Sequence, residues 1–164
     1  TGALLLTTGN KSEVAVGYAT LYGDMCGALN LIGDLYKTQV FQLSSWRNLQ
    51  RPATALGPTG AVMPERIISK PPSAELRPDQ KDQDSLPDYD TLDAILYELV
   101  ENETSVSDLI AKGWDQSLVE RIYKLLLRAE FKRQQAAPTI KLSVRAFGSD
   151  RQMPIVNRYW PFEA

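Results

Sequence analysis

One short, largely apolar run limits the possible folds most. It covers residues 3–8 and reads Ala-Leu-Leu-Leu-Thr-Thr. Gly9 and Asn10 follow this run, and the residues after them have the composition of a helix. The run therefore predicts a buried strand that leads directly into a helix. At most one further strand is evident, whereas a complete parallel sheet needs several. We predict an α/β fold of which this chain supplies a mostly helical section with one or two strands.

The first part of the chain, residues 1–50, is predicted to form a strand followed by two helices. The first helix is predicted over 11–21, with Asn10 as its N-cap and an acidic residue three positions later, as in a capping box. The second is predicted over 35–49, with Asp34 as its N-cap. This order of elements is typical of the nucleotide-binding edge of an α/β domain.

The remaining chain divides into a loop-rich middle and a helical end. Residues 51–90 are rich in proline, glycine and acidic residues, and are predicted to form a loop and an extended acidic arm. Residues 91–164 are predicted to form a helix from Thr91, a short helix over 106–111 and a longer one over 117–134. An irregular or briefly extended tail is predicted after these helices.

The composition excludes several classes of site. The chain has no histidine, which excludes a Ser-His-Asp triad, a Cys-His pair and a histidine-based zinc site within it. Carboxylates, lysines and backbone remain, and they suit phosphate and Mg²⁺ chemistry. The single cysteine, Cys26, cannot form an internal disulfide and fits a reducing cytoplasm. Neither a membrane-spanning apolar stretch nor a basic run interleaved with aromatic residues is present, so we expect a cytoplasmic protein that binds neither membranes nor nucleic acid.

Two segments of the first part have the residue types of a phosphate site. Between Thr8 and Glu13, a glycine-containing turn feeds a helix N-terminus, whose N–H groups favour phosphate and whose carboxylate could hold Mg²⁺. Lys37 lies in the first turn of a helix, where a cation opposes the helix dipole unless an anion lies between them. The structural alternatives are that Asn10 and Glu13 only cap their helix and that Lys37 is an exposed lysine.

Two later segments are weaker candidates. In the Lys-Pro-Pro-Ser stretch that ends at Ser73, the prolines fix the backbone that presents the hydroxyl, and the aspartates of the following arm, including Asp84, could meet ribose hydroxyls or a metal. Lys132 lies near the end of the longest predicted helix. A solvated loop and a cation that stabilises a helix C-terminus are the respective structural alternatives.

Taken in order, six motifs resemble the glutamine-dependent NAD⁺ synthases over most of the chain, from about Leu4 to Tyr159. The motifs are Thr-Gly-Asn-Lys-Ser-Glu, Gly-Tyr-Ala-Thr-Leu-Tyr-Gly-Asp, Asp-Leu-Tyr-Lys-Thr-Gln-Val, Pro-Ser-Ala-Glu-Leu-Arg-Pro-Asp-Gln-Lys-Asp-Gln-Asp-Ser-Leu-Pro, Phe-Lys-Arg-Gln and Pro-Ile-Val-Asn-Arg-Tyr. The resemblance implies an ATP-pyrophosphatase-type, Rossmann-like domain of which residues 1–164 are the C-terminal part. It also implies a ligase reaction, in which ATP adenylates the nicotinate carboxylate of deamido-NAD⁺ and ammonia then displaces AMP.

The resemblance further implies roles for individual residues. Four positions match contacts of ATP, and among them Glu13 also matches the Mg²⁺ ligand and Lys37 the catalytic lysine. Three others match contacts of deamido-NAD⁺. The ATP residues are Thr8, Glu13, Lys37 and Ser73, and the deamido-NAD⁺ residues are Asp24, Asp84 and Lys132.

The chain departs from the family pattern in two respects. Leu31 stands where the family has a proline, and the Ser-Gly-Gly-x-Asp-Ser pyrophosphate loop and the glutaminase domain are missing from this sequence. Because the chain also begins within an apolar run at Thr1, we expect a piece of a homo-oligomeric enzyme that receives ammonia from that glutaminase domain. We expect the isolated chain to be inactive and to bind ATP–Mg²⁺ weakly. The alternatives are an interaction segment for subunit contacts, or another amidotransferase related to GMP or asparagine synthases.

Overall fold

The computed structural model describes residues 1–73 and 78–157. Two short strands and seven α-helices occur in this part of the chain, together with one 3₁₀ turn. In order they are β1 (Leu6–Thr7), α1 (Lys11–Val16), β2 (Leu29–Asn30), α2 (Lys37–Leu49), α3 (Glu65–Ser69), the 3₁₀ turn (Asp82–Asp84), α4 (Tyr89–Val100), α5 (Val106–Ala111), α6 (Gln116–Arg128) and α7 (Glu130–Arg133). The predicted α/β character and the predominance of helix are confirmed.

The sheet consists of β1 and β2, which pair in parallel with Leu6 opposite Leu29 and Thr7 opposite Asn30. Residue Asn30 also forms an isolated parallel bridge with Thr139 of the tail. The prediction of a buried strand over residues 3–8 is wrong in extent, because only Leu6–Thr7 pair and the three leucines at positions 4–6 are 44–63% exposed. Their outer side is not covered by any described residue.

The core forms around α4, which packs against α1, α2 and α6. Leu92, Ile95 and Leu96 of α4 are completely buried, and their spacing puts them on one face of the helix. From α6, Ile122 and Leu126 are completely buried in the same core. Each such side chain contributes about 1.5–3 kcal/mol by leaving water. The core thus fixes α4 beneath the N-termini of α1 and α2, where Glu13 and Lys37 lie.

The first helix is shorter than the predicted 11–21. It begins at Lys11 with Asn10 as N-cap, as predicted, but it ends at Val16 because Gly17 adopts the left-handed conformation with φ of 73°. A Cβ at Gly17 would lie 2.9 Å from the Cβ of Ala129, so the junction between α6 and α7 approaches the backbone closely at this point. The early end turns the chain away from the helix axis toward the candidate residue Asp24.

The second helix starts later than predicted, and Asp34 is not its N-cap. Helix α2 begins at Lys37 after Tyr36, whose backbone N–H donates to the side chain of Gln39 at 2.9 Å. Asp34 is 1% exposed and its carboxylate pairs with Lys11 instead. The short polar side chain favoured a cap from local sequence alone, but the buried lysine provides it with a stronger partner.

The bounds of the later helices differ at three points. Helix α5 has the predicted bounds, whereas α4 begins at Tyr89 rather than Thr91. The single helix predicted over 117–134 is wrong in extent, because α6 begins at Gln116 with Asp115 as its N-cap and ends at Arg128, and α7 follows as a separate short helix. Helix α3 and the 3₁₀ turn occur in the region predicted to be irregular. Within the described ranges the tail after α7 has no helix or strand, as predicted, and none of the helices is long and apolar enough to cross a membrane.

Candidate functional site

A cleft of about 370 Å³ lies where β1 ends and where α1 and α2 begin. Pro71, Pro72 and the 3₁₀ turn form its opposite wall. We name it the central cleft. Its lining includes all four residues that the resemblance assigns to ATP, namely Thr8, Glu13, Lys37 and Ser73. Asp24 and Asp82 line it as well.

The central cleft contains an ion pair between Lys37 and Glu13, with 2.9 Å between Nζ and Oε1. The other carboxylate oxygen of Glu13 accepts the backbone N–H of Asn10 at 3.0 Å, which completes a capping box. Both side chains are 18% exposed. The Lys37 ammonium also lies 5.4 Å from the ring centroid of Tyr89, within reach of a cation–π interaction. The Lys37 ammonium is therefore fixed in position by its contacts, and Glu13 both caps helix α1 and serves as the counter-ion of Lys37.

A buried hydrogen-bonded clamp fixes the two helix N-termini relative to each other. The Ser12 hydroxyl donates to Asp93 Oδ1 at 2.5 Å and accepts the backbone N–H of Lys37 at 2.9 Å. The second oxygen of Asp93 accepts the backbone N–H of Thr38 at 2.8 Å. Burial raises the pKa of Asp93, and the bonds from Ser12 and Thr38 oppose that rise. Since this clamp joins α1, α2 and α4, it sets the separation of Glu13 and Lys37.

A second buried cluster, which we name the Lys11 cluster, lies behind the cleft. The ammonium of Lys11 is completely buried and bonds Asp34 at 2.8 Å and Glu101 at 2.5 Å. It also lies 2.6 Å from Ser143 Oγ and 2.7 Å from the carbonyl oxygen of Arg145. Sequence reasoning treated Lys11 only as the first residue of a helix. A lysine inside the motif that begins at Thr8 was the one available signal, and its partners lie too far along the chain to be inferred.

Asp34 holds the tail in this cluster. Burial alone would raise the pKa of its carboxyl, but bonds from Lys11 and from the backbone N–H groups of Leu142 and Ser143 outweigh burial and leave the pKa below its ordinary value. The two backbone bonds measure 2.6 and 2.7 Å. The tail is consequently tied to the segment that leads into the central cleft.

A second hollow of about 570 Å³ adjoins the central cleft, with Tyr18 and Asp24 in the lining of both. Lys132 reaches it from the far side, and its ammonium donates to the carbonyl oxygens of Gly17 at 2.7 Å and Ala19 at 2.6 Å. Asp24 accepts the backbone N–H of Thr20 at 2.6 Å. The structure thus brings Asp24 and Lys132 together at one hollow, and their roles as ligand contacts stay predictions.

Asp84 is the candidate residue that lies apart from both hollows. It is exposed, and its carboxylate accepts the backbone N–H of Lys81 at 2.9 Å. The aspartate that lines the central cleft is Asp82, which is 3% exposed and accepts the Tyr89 hydroxyl at 2.6 Å. The sequence predicts that the aspartates of the acidic arm, Asp82 among them, could meet ribose hydroxyls or a metal, but it singles out only Asp84, because spacing does not reveal which aspartate a 3₁₀ turn directs inward.

Parts of two motifs fall outside the described residues. These are residues 74–77 of the proline-flanked arm and residues 158–164 at the end of the tail. Within the described ranges, no group of three or more acidic or cysteine side chains is placed to hold a metal. A cation at this site would therefore need oxygen atoms of a bound substrate, in addition to one or two carboxylates.

Comparison with known proteins gives consistent matches. The sequence model of the NAD synthase family matches residues 1–136. The chain is 56% identical over 158 residues to the glutamine-dependent NAD(+) synthetase of Rhodobacter capsulatus, covering 96% of this chain and 29% of that protein. It is 56% identical over 160 residues to the glutamine-dependent NAD(+) synthetase of Acinetobacter baylyi, covering 98% of this chain and 28% of that protein.

A solved structure supports the fold. The glutamine-dependent NAD(+) synthetase of Cytophaga hutchinsonii matches 95% of this chain and 25% of its own chain, with a TM-score of 0.68 and 23% identity. The chain spans only between a quarter and a third of its curated relatives, at 29% and 28% of the two named above. Because the family model covers residues 1–136 and the relatives align over nearly the whole chain, this chain belongs to the NAD synthase family.

Proposed function

We propose that this chain forms one side of the synthetase site of a glutamine-dependent NAD⁺ synthase, with ATP in the central cleft and deamido-NAD⁺ in the adjoining hollow. One observation carries the proposal. The four residues assigned to ATP line one cleft, two of the three assigned to the dinucleotide line the next, and Tyr18 and Asp24 belong to both. Two substrates that must react with each other need adjacent sites of this kind.

The polar groups of the central cleft suit a triphosphate with a divalent cation. We propose that Lys37 and Ser73 contact phosphate oxygens and that Thr8 lies against the same nucleotide. When the nicotinate carboxylate attacks the α-phosphorus, negative charge grows on the leaving pyrophosphate, and the Lys37 ammonium offsets it from a position that Ser12 and Asp93 have already fixed. The resulting acyl-adenylate then loses AMP to ammonia.

Glu13 is the residue proposed for Mg²⁺, which supplies charge neutralisation at the phosphates when bound. Its carboxylate has the right chemistry, but both of its oxygens already have a donor, Lys37 for one and the Asn10 N–H for the other. Glu13 is acceptor-only, and each carboxylate oxygen has a second lone pair. The proposal is therefore that Glu13 keeps Lys37 in position and accepts the cation on the same face.

The adjoining hollow is proposed to hold part of deamido-NAD⁺. Lys132 brings a partly buried cation to a hollow where a pyrophosphate could replace one of its carbonyl partners, and Asp24 offers an acceptor for hydroxyl groups. We retain Asp84 as a proposed contact of the dinucleotide at the rim, although its carboxylate caps the 3₁₀ turn.

The proposed roles of the remaining segments and of the whole protein rest on similarity to the relatives. We propose that residues 1–50 build the nucleotide edge, that residues 51–90 form the facing arm, and that 91–164 support both. A glutaminase domain would provide ammonia, and the assembled protein would be a cytoplasmic homo-oligomer. In support of subunit or domain contacts, α2 has no buried residue, and its Leu43, Trp46 and Leu49 side chains are 47%, 41% and 84% exposed.

The test is Lys37→Ala in the full-length protein, with pyrophosphate release measured in ATP, Mg²⁺ and deamido-NAD⁺. Loss of a preorganised cation at developing charge lowers the turnover by about 100-fold or more. Lys112→Ala is the matched control, since Lys112 lies at the end of α5 and pairs with Glu98 at the surface. Turnover near the wild-type value in Lys37→Ala would remove the phosphate role.

A further inference from the structure

Asp82 lines the central cleft and has one carboxylate oxygen with no hydrogen-bond partner among the described residues. Asp82 is 3% exposed, and its Oδ2 accepts the Tyr89 hydroxyl at 2.6 Å. Its Oδ1 is buried and without a donor in the described part of the chain. A buried carboxylate oxygen in this state is unfavourable, so it calls for a partner that a bound ion or ligand can supply.

The other carboxylates of the cleft differ from Asp82 in this respect. Each oxygen of Glu13 has a donor, namely Lys37 and the Asn10 N–H. Asp24 is exposed and accepts the backbone N–H of Thr20. Asp82 is thus the carboxylate of this cleft that combines burial with an unused oxygen, among the residues that the structure describes.

The charge balance of the lining selects the kind of ligand. Glu13, Asp24 and Asp82 contribute three negative charges, against the two lysines Lys37 and Lys70. A bare triphosphate beside Asp82 would meet like charge in a partly desolvated site, whereas a divalent cation between them reverses that interaction. Mg²⁺ commonly binds through one or two carboxylates together with substrate phosphates and water, which matches a site with few protein ligands.

We propose that Asp82 Oδ1 is a direct ligand of the divalent cation that enters the central cleft with the nucleotide triphosphate. The Tyr89 hydroxyl positions the carboxylate by holding Oδ2, and its ring lies 5.4 Å from the Lys37 ammonium. Tyr89 is itself anchored in the core as the first residue of α4. This inference rests on the proposed function, since the nucleotide supplies the remaining oxygen ligands.

The test uses Mn²⁺ as a spectroscopic probe with the full-length protein and a non-hydrolysable β,γ-imido analogue of ATP. Electron paramagnetic resonance gives the affinity for Mn²⁺ in the ternary complex. Asp82→Asn keeps the shape of the side chain and one acceptor oxygen but removes the charge, and it should lower the affinity for Mn²⁺ by at least about tenfold. Affinity for the analogue without metal should stay the same or increase. Asp90→Asn is the control, because it removes an exposed charge one residue beyond Tyr89.

Tyr89→Phe supplies a second variant should Asp82→Asn fail to fold. Loss of the hydroxyl that positions Asp82 should lower the affinity for Mn²⁺ by about tenfold, while the ring keeps its packing in the core. Unchanged Mn²⁺ affinity in a folded Asp82→Asn protein, or in Tyr89→Phe if Asp82→Asn is unfolded, would overturn the inference. Failure of the wild-type protein to bind the analogue with Mn²⁺ would instead refute the proposed function, and this inference with it.

Discussion

Replacement of Lys11 by methionine should strongly destabilise the protein, because the Lys11 cluster contains two buried carboxylates. Methionine is unbranched and of similar length, so the change removes the charge with little change in packing. Asp34 and Glu101 would then face each other without the ammonium that bonds them at 2.8 and 2.5 Å. Both are at most 2% exposed in their side chains, so water cannot replace it.

The size of the effect follows from what each carboxylate retains. Removing one partner of a buried ion pair costs about 3–5 kcal/mol. Asp34 keeps the backbone N–H groups of Leu142 and Ser143, and Glu101 keeps the Tyr36 hydroxyl and the Arg145 N–H. We therefore expect a loss of about 4 kcal/mol, within the quoted range although two carboxylates are affected.

Urea unfolding of the full-length protein, followed by tryptophan fluorescence, gives the change in unfolding free energy. Lys112→Met is the matched control, since its pair with Glu98 is 53% exposed at the lysine and should contribute at most about 1 kcal/mol. Limited trypsin digestion provides a local readout, because the freed tail should be cut faster after Lys141. Equal unfolding midpoints for Lys11→Met and Lys112→Met would refute the reasoning.

Three further predictions follow from the geometry of the site. Gly17→Ala should lower the free energy of unfolding by about 1–3 kcal/mol, because φ at this position is 73° and the new methyl group would lie 2.9 Å from the Ala129 Cβ. An unchanged melting temperature would contradict this. Asp93→Ala should raise the KM for ATP by about tenfold, since two clamp bonds are lost, and an unchanged KM in a folded variant would argue against a positioning role. The pKa of Asp34 is lower in the folded than in the unfolded protein, so its ionised carboxylate stabilises the fold above the unfolded-state pKa, and this stabilisation is lost as the pH falls through the folded-state pKa. Asp34→Asn should therefore reduce the loss of stability over this acid range in an unfolding curve measured against pH.

Local sequence signals were sufficient for part of the fold. The buried face of α4 and the bounds of α5 follow from the spacing of their apolar residues, because these helices bury one face against a continuous core. Asn10 was correctly expected to cap α1, since its partner Glu13 lies three residues away. Interactions of this range are contained in a few adjacent residues.

Features that depend on distant residues could not be predicted in this way. Strand β2 is two residues long, and its pairing with β1 on one side and Thr139 on the other defines it rather than a long run of strand-forming residues. Gly17 ends α1 in the left-handed conformation, and the close approach of Ala129 that leaves no room for a side chain there comes from more than a hundred residues later. The burial of Lys11 likewise needs Asp34 and Glu101, which the fold brings together from separate segments.

The sequence predicted which residues belong to the candidate site better than it predicted how they are arranged. Ordered motifs supplied Thr8, Glu13, Lys37 and Ser73, and the structure places these four in one cleft. Their roles remain predictions. The inward position of Asp82 required the backbone of the 3₁₀ turn, which spacing along the acidic arm does not specify.

The central claim is that this chain forms one side of a site that converts deamido-NAD⁺ to NAD⁺. The direct test incubates the full-length protein with ATP, Mg²⁺, deamido-NAD⁺ and glutamine labelled with ¹⁵N in its side-chain amide, and follows the products by mass spectrometry. We predict NAD⁺ that carries the ¹⁵N label, formed in equal amount with AMP and pyrophosphate. Pyrophosphate release that does not depend on deamido-NAD⁺, or an absence of labelled NAD⁺, would contradict the account.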